Sequence, residues 1–541
     1  MNAGINKNIV QSANVYAKLS AYTFICIACL LGLTNAADKV DSTNLIFNDS
    51  RVNEYNLHFY IDNWADSLAY YYDNGEQYLP ARFSYKMVNG DSIVLDSVGV
   101  RFKGNSSYTY SANSVKKPFK LSFDEFRDQG FCGVSKLNFS NGIKDPSQMR
   151  EKIAYDIISK YLPAPRAAFA TISVDNKLIG LYTQVEQVDK KFLKRNFESK
   201  NGNLYKASDD GATLGFLGAS GEDYAAAYEL KTNETLNDWS SFIGMLDKLN
   251  NSDAADFAAA AGSALDIDKC LRYLAFNMVF SNFDSYTGSG RNFYLYDDSA
   301  SAKYILIPWD LNFSFGIFTN GWNVKTVDIV AISNLSTRPL NRRILENDSL
   351  KKVYLSYISE LIGSSASSDS VAARVDKIKE LIEPFVIADT NKFSTYEQFV
   401  QNCEEDVVVT SGLTKTTYPG IKSFVAVRNA NIRTMLDSYL PVKYLMSNNG
   451  RRSGKISVNA LRNAGSTAIS VKYEIINDNT RAQFSIYNCK GTQVAAFTDC
   501  NRQKGVYQLT KQLQLQLASG YYTLKMNAGM GPKMVQSLVV W

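Results

Sequence analysis

Two carboxylates and a carboxamide stand at the ends of one apolar hairpin pattern. The chain reads Phe283-Asp284-Ser285-Tyr286-Thr287-Gly288-Ser289-Gly290-Arg291-Asn292 and then the β-type run Phe293-Tyr294-Leu295-Tyr296. After a polar turn, Tyr304-Ile305-Leu306-Ile307-Pro308 leads into Trp309-Asp310-Leu311-Asn312-Phe313-Ser314-Phe315-Gly316. Folded as a hairpin, these runs hold Asp284, Asn292 and Asp310 on one side, facing a common space. Oxygen donors without imidazole suit a hard cation such as Mg²⁺. Such a cation beside a nucleotide is the core of a phosphoryl-transfer site. The same residue types are also ordinary caps and turn formers, so a plain buried hairpin is the competing reading.

Histidine usage narrows the alternatives. The sequence has one His, His58, so zinc sites built on two or three imidazoles are excluded. A Ser-His or Cys-His mechanism would have to run through His58, which lies in the strand-like run Asn56-Leu57-His58-Phe59-Tyr60-Ile61 and reads as a strand residue. Net charge is +5, with Lys and Arg scattered and no block of like charge. Nucleic-acid binding therefore has no support. The balance of 45% hydrophobic and 21% charged residues over 541 positions is that of a globular chain with room for several domains.

Residues 1–37 read as a secretory signal: Lys7 and Lys18, then the apolar run Ala21 to Leu33, then small residues through Ala37. The run is too short to span a bilayer comfortably, and no later segment is apolar enough to do so. The expected mature chain is secreted or on the cell surface and has no transmembrane segment. Cys132, Cys270 and Cys403 are too dispersed for a disulfide framework. Cys489 and Cys500 are close enough in sequence to pair.

The elements that must position the polar hairpin follow from periodicity. Strand patterns fall at Asn56 to Ile61, Ala81 to Val88, Ser92 to Val100, Phe119 to Phe123, Lys136 to Phe139, Ala167 to Val174 and Leu178 to Val185. Asp145-Pro146-Ser147 predicts a helix start, with Met149, Ile153, Ile157 and Tyr161 as its apolar stripe and Arg150, Glu151, Lys152 and Asp156 elsewhere on its surface. Helices are predicted at Asp266 to Ser281, delivering the chain to Asn282, and at Arg338 to Ile362, Ser370 to Ile387, Thr395 to Cys403 and Ile421 to Tyr439. Strands dominate before residue 210 and helices after 235, an α+β pattern in two lobes with a cleft between them. Residues 445–541 differ, with seven short β-type runs at regular spacing that predict a small all-β, Ig-like sandwich.

Two further stretches fit phosphate chemistry. Val98-Gly99-Val100-Arg101-Phe102-Lys103 runs into Gly104-Asn105-Ser106-Ser107, a strand ending in a Gly-led turn whose N–H groups can cradle an anion. Lys116-Lys117-Pro118-Phe119-Lys120-Leu121 then places a Lys on a strand after that turn. Taken singly, each is an ordinary turn or a solvated strand face.

In order along the chain, these stretches resemble the CotH family of atypical protein kinases, of the spore-coat-H type. The pieces are Arg101 to Ser107, Lys116 to Leu121, Arg150-Glu151-Lys152-Ile153-Ala154-Tyr155-Asp156, Gly180-Leu181-Tyr182 through Glu186-Gln187-Val188-Asp189, Asn282-Phe283-Asp284 through Tyr296, and Ile307-Pro308-Trp309-Asp310 through Gly316. The resemblance covers roughly 50–440 and implies a two-lobed, protein-kinase-like domain over 38–444 that uses ATP with Mg²⁺ or Mn²⁺. It implies Asp284 as the catalytic-loop Asp, Asp310 as the metal-binding Asp and Asn292 as the second metal ligand. Lys103, Gly104, Asn105, Ser106 and Lys117 or Lys120 would lie near the phosphates, and Glu186-Gln187-Val188 beside the adenine. Glu151 is only a candidate for the helix Glu that pairs with the nucleotide Lys. Three departures stand out: Arg291 where many members have His, Asn312 where a second Asp is common, and eight positions from Asp284 to Asn292 where the ordinary kinase loop has five. Residues 445–541 resemble the C-terminal sorting domains that send bacterial proteins across the outer membrane, through Phe484 to Tyr487 and Leu517 to Leu524.

Two functions follow. One is an exported kinase acting on a hydroxyl of an exported protein, with residues 445–541 contacting the envelope or secretion machinery. The other is a catalytically silent surface-binding or structural protein on the same fold. Retention of both Asp residues favours the first.

Overall fold

The computed structural model describes residues 42–440 and 456–540, except 88, 209–210, 333, 412–413, 464–465, 476–479, 489–491, 514–516, 518–519 and 529–533. The expected signal and Cys489 lie outside the described residues. The chain divides into two compact units, 1–440 and 441–541, and the architecture is α+β with an all-β C-terminal region. No described helix is long and apolar enough to cross a membrane.

The first unit begins with seven strands closed into a barrel in the order β1-β2-β3-β4-β5-β7-β6: β1 Asn53–Phe59, β2 Leu79–Lys86, β3 Ser92–Phe102, β4 Phe119–Ser122, β5 Lys136–Ser140, β6 Ala167–Val174 and β7 Lys177–Glu186. Neighbours are antiparallel except β1 and β6, which pair in parallel and close the barrel. Alternation fills the interior with Tyr55, Phe83, Val100, Phe119, Leu137 and Ile172. It also aligns Arg101, Lys120 and Asn138 across three neighbouring strands on the outer face. Asp175 and Asn176, both at positive φ, make the two-residue turn that joins β6 to β7. His58 sits on β1, its Nδ1 2.5 Å from Asp175 Oδ1 on the exposed face, a strand residue as expected.

A second sheet follows in the order β11-β10-β8-β9, with β8 Leu204–Ala207, β9 Tyr228–Leu230, β10 Phe293–Asp298 and β11 Lys303–Pro308. The helix Ile267–Val279 feeds it, capped by Asp266, whose Oδ1 accepts the Lys269 N–H at 3.1 Å. Five further described helices complete the unit's C-terminal half: Pro339–Glu346, Asp348–Gly363, Ser368–Ala388, Tyr396–Glu404 and Ile421–Tyr439.

Three expectations need correction. The helix predicted from Asp145-Pro146-Ser147 starts later, at Arg150, because 142–148 forms tight turns and Asp145 reaches forward to accept the Arg150 N–H at 2.9 Å. The helix expected over Arg338 to Ile362 is two, Pro339–Glu346 and Asp348–Gly363. Asn347 leaves helical geometry between them, and its side chain caps the second at Leu350 N. The helix Trp64–Asp73 and the hairpin of β12 Val407–Ser411 with β13 Thr414–Tyr418 were not anticipated.

The second unit carries the seven expected strands as two sheets. One runs β14-β15-β18: Ile456–Asn463, Ser466–Ile475 and Gly505–Leu513. The other runs β17-β16-β19-β20: Gln493–Arg502, Thr480–Asn488, Gly520–Ala528 and Met534–Val540. One core joins them, with Ile469, Val471 and Tyr473 from the first sheet meeting Phe484, Ile486 and Leu524 from the second, the inner faces of a sandwich.

Candidate functional site

The hairpin β10–β11 sets the geometry. Its first pair, Phe293 with Pro308, puts Asn292 beside Trp309, and the Trp309 N–H donates to Asn292 O at 3.2 Å. Asn292 and Asp310 therefore leave the sheet at the same end, both in the left-handed region at φ 58 and 50. Non-glycine residues rarely stay there unless they are held, and Asn and Asp tolerate it best. The Asn292 amide donates to Asp284 O at 2.9 Å and to Asp284 Oδ2 at 3.0 Å, which commits its Nδ2 to Asp284. Ser289 Oγ donates to Asp284 Oδ1 at 2.9 Å.

Asp284 and Asp310 are close enough to affect one another. Burial raises the Asp284 pKa first, the Asp310 charge adds to the rise, and Ser289, Arg291 and Asn292 oppose it. Two near carboxylates destabilise each other's charge, so the pair favours a cation between them. Among the described residues no three His, Cys, Asp or Glu are placed so that they alone could hold a metal ion. The side chains of Asp284, Asn292 and Asp310 carry oxygen donors of the type a hard cation takes.

The helix Arg150–Ile158 closes the other side. The sequence reading placed its polar residues on the surface, whereas Arg150, Glu151, Lys152 and Tyr155 are all buried. Lys152 is held by Asp49 at 2.6 Å and Asp156 at 2.5 Å. Arg150 ion-pairs with Asp145 and donates to Asn402 Oδ1 at 2.9 Å, tying the helix to Tyr396–Glu404. Glu151 differs, because its Oε2 is buried without a hydrogen-bond partner. Burial and then the Asp310 charge push the Glu151 pKa up to about 8, with Ser140 and Lys103 opposing. One turn on, Tyr155 Oη accepts the Asp310 N–H at 3.0 Å.

Lys103 follows β3 and points toward the same carboxylates. Burial lowers its pKa, while Asp310 and Glu151 hold it up, and its Nζ lies 5.7 Å from the Trp309 ring centroid. Lys103, Ser107, Lys144, Glu151, Asp310 and Asn312 line one pocket. The turn beside it needs glycine, since Gly104 has φ +79 and an added Cβ would lie 2.5 Å from Ser107 Oγ. Tyr72 Oη donates to Gly104 O at 2.6 Å and anchors the turn. Asn105 and Ser106 stand exposed at its tip.

The remaining expected residues divide. Lys120 lies on the outer face of β4 among Arg101, Lys136, Lys103 and Lys231; burial and these cations lower its pKa to about 7. Lys117 is turned away, its Nζ donating to Ser111 O at 2.6 Å over the Tyr108 ring. Glu186 is closed between two guanidiniums, Arg166 at 2.9 Å and Arg195 at 2.5 Å. Its carboxylate holds the end of β7, and no side-chain oxygen is left over for a nucleotide base.

The structure also brings in Tyr155, Ser289 and Arg338, which the sequence reading passed over. Tyr155 had a usable signal: it lies four residues after Glu151, hence on the same helix face. Tyr155→Phe removes the acceptor of the part-buried Asp310 N–H. Its expected cost is about 1–3 kcal/mol of stability, with a larger proportional loss at the Asp310 site, checked by denaturant titration beside metal-dependent nucleotide binding. Lys120 gives a pH signature. Its folded pKa is depressed below the unfolded value, so its cost is complete below pH 7 and is relieved as pH rises toward 10.5. Lys120→Met should therefore exceed wild type in stability by about 1–2 kcal/mol at pH 6, after allowance for solvent screening. The gap should shrink by pH 10 in thermal melts.

Residues 100–432 match the family model described as CotH kinase protein. The chain belongs to the CotH family. Inner spore coat protein H of Bacillus subtilis (strain 168) is 28% identical over 297 residues, 54% of this chain and 79% of that protein. The CotH match begins within β3 and ends within Ile421–Tyr439, so it holds Lys103, Glu151, Asp284, Asn292 and Asp310 and leaves out β1, β2 and the C-terminal sandwich.

Proposed function

We propose that this CotH-family chain is an exported atypical protein kinase that transfers the γ-phosphoryl group of ATP to a hydroxyl of an exported protein. The observation that carries the reading is the meeting of Lys103, Glu151, Asp284, Asn292 and Asp310, from four stretches of the chain, at one end of the β10–β11 hairpin. In this reading the barrel and the helical half are the two sides of a kinase-like cleft. In this reading Asp310 and the Asn292 Oδ1 hold a divalent cation, Mg²⁺ or Mn²⁺, which when bound neutralises charge on the β- and γ-phosphates. The donor set and the mutual repulsion of Asp284 and Asp310 fit such an ion.

Asp284 accepts the proton of the acceptor hydroxyl as its oxygen bonds to the γ-phosphorus and the bond to the β-phosphate oxygen of the departing ADP breaks. Its raised pKa makes it a better base than an exposed carboxylate. Lys103 steadies the phosphates as a point charge and is itself placed by Glu151. The Gly104 turn offers backbone N–H groups, and Lys120 adds charge from the barrel's outer face. Export rests on the leader at 1–37 and on the spore-coat name of the curated relative. Residues 445–541 are the part proposed to meet the envelope or secretion machinery.

The test is incubation of the purified mature chain with γ-labelled ATP, a generic protein acceptor and Mg²⁺ or Mn²⁺. Metal-dependent label in protein is the expected result. Absence of both transfer and metal-dependent nucleotide binding overturns the enzyme and leaves a surface-binding protein.

A further inference from the structure

The eight-position separation of Asp284 and Asn292 is filled by a buried coil. Ser285, Tyr286 and Thr287 are at most 1% exposed. Gly288 admits no side chain, since a Cβ would fall 1.9 Å from Phe283 O. The Ser289 and Gly290 N–H groups fold back onto Phe283 O and Ser285 O, both at 2.9 Å. This leaves three successive carbonyls, those of Tyr286, Thr287 and Gly288, in need of donors inside the protein.

Two side chains from 334–338, beyond the hairpin, supply them. Arg338 Nε donates to Tyr286 O at 2.8 Å and its Nη2 donates to Gly288 O. Asn334 Nδ2 donates to Thr287 O at 2.7 Å and Gly288 O at 3.2 Å. Arg338 is buried, and its guanidinium donates to these carbonyls and to Thr337. A guanidinium is costly to bury, and its planar fork can span two carbonyls as an ammonium cannot. The held carbonyl of Gly288 precedes Ser289, whose hydroxyl donates to Asp284 Oδ1.

We infer that Arg338 is a positioning residue for phosphoryl transfer, fixing Asp284 through Gly288 and Ser289 in place of the shorter loop of ordinary kinases. The inference rests on the kinase reading above. Arg338→Lys keeps the charge and loses the fork. It should lower kcat at least about tenfold while the Kd for ATP with metal stays within about threefold. Ser289→Ala cuts the same route without touching the guanidinium and should lower kcat similarly. The double variant should then be no worse than the poorer single one, since each breaks one path. Thermal melts on all three report the structural share, which a purely structural Arg338 would show without the kcat–Kd split. Wild-type kcat in Arg338→Lys, or multiplicative losses in the double variant, overturns the inference while wild-type transfer keeps the kinase reading standing. If wild type shows neither transfer nor metal-dependent nucleotide binding, the kinase reading falls and this inference falls with it.

Discussion

Asp310→Asn should reduce phosphoryl transfer by about a thousandfold or more and abolish metal-dependent nucleotide binding, with little change in the fold. The substitution keeps the side-chain shape. It also keeps the backbone, because Asn tolerates the left-handed φ that Asp310 occupies, and Tyr155 still accepts the residue's N–H. Only the charge is lost, and with it the strongest donor to a divalent cation. Two neighbours should report the loss independently. Asp284 and Glu151 both have pKa values raised in part by the Asp310 charge, so both should titrate lower in the variant. Single-turnover transfer, nucleotide titration with and without Mg²⁺, and a melting temperature within about 2 °C of wild type make the check. Transfer within tenfold of wild type would remove Asp310 from the chemistry.

The parts of this site that sequence made legible are those with strong local signals. The hairpin could be read because apolar runs flank a turn, and Asn292 and Asp310 fall at its open end because strand pairing fixes register. The Gly104 turn and Lys103 were legible because a strand ends there. Tertiary burial decided the rest. The helix Arg150–Ile158 looked amphipathic, and its polar face is buried against Asp49, Asp145 and Asn402, all remote in sequence or beyond a turn. Lys117 and Lys120 lie three residues apart and look equivalent, but one caps a turn at Ser111 O and the other faces a basic cluster. Glu186 is expected beside the adenine from its place in a family pattern, and its ion pairs with two arginines from outside that pattern had no local signal. Trp64–Asp73 escaped notice because only Leu68 of that Tyr-rich helix is fully buried, too few residues to set a stripe.

Asp389→Ala should cost about 3–5 kcal/mol of stability, the largest loss expected from one substitution outside the site. Lys116 and Asp389 form an ion pair of 2.7 Å with both side chains fully buried. The same carboxylate also accepts the Leu181 N–H at 3.0 Å and the Asn391 N–H at 2.9 Å. Removing it strands one ammonium and two backbone donors at once. The approach is close enough that Gly180 is required, since a Cβ there would lie 2.8 Å from both Asp389 Oδ2 and Lys116 Cδ. Burial lowers the Lys116 pKa and Asp389 opposes that, so without Asp389 the folded chain prefers the neutral amine. The unfolded chain then binds the extra proton up to its ordinary lysine pKa. The variant's deficit is therefore largest at low pH and narrows as pH rises toward 10.5. Denaturant midpoints at pH 6 and pH 9 test both the size and the slope. Lys116→Met with Asp389→Leu removes the charges together and should recover most of the loss. A deficit below about 1 kcal/mol at pH 6 would show the pair to be replaceable by solvent. The pair also reaches the site: Lys116 Nζ lies 3.5 Å from Gln148 Oε1, in the turn that launches Arg150 and Glu151. It ties β7 and the approach to β4 to the end of the helix Ser368–Ala388. Asp389→Ala should thus weaken metal-dependent nucleotide binding as well as stability, and the charge-free double variant should restore stability further than binding.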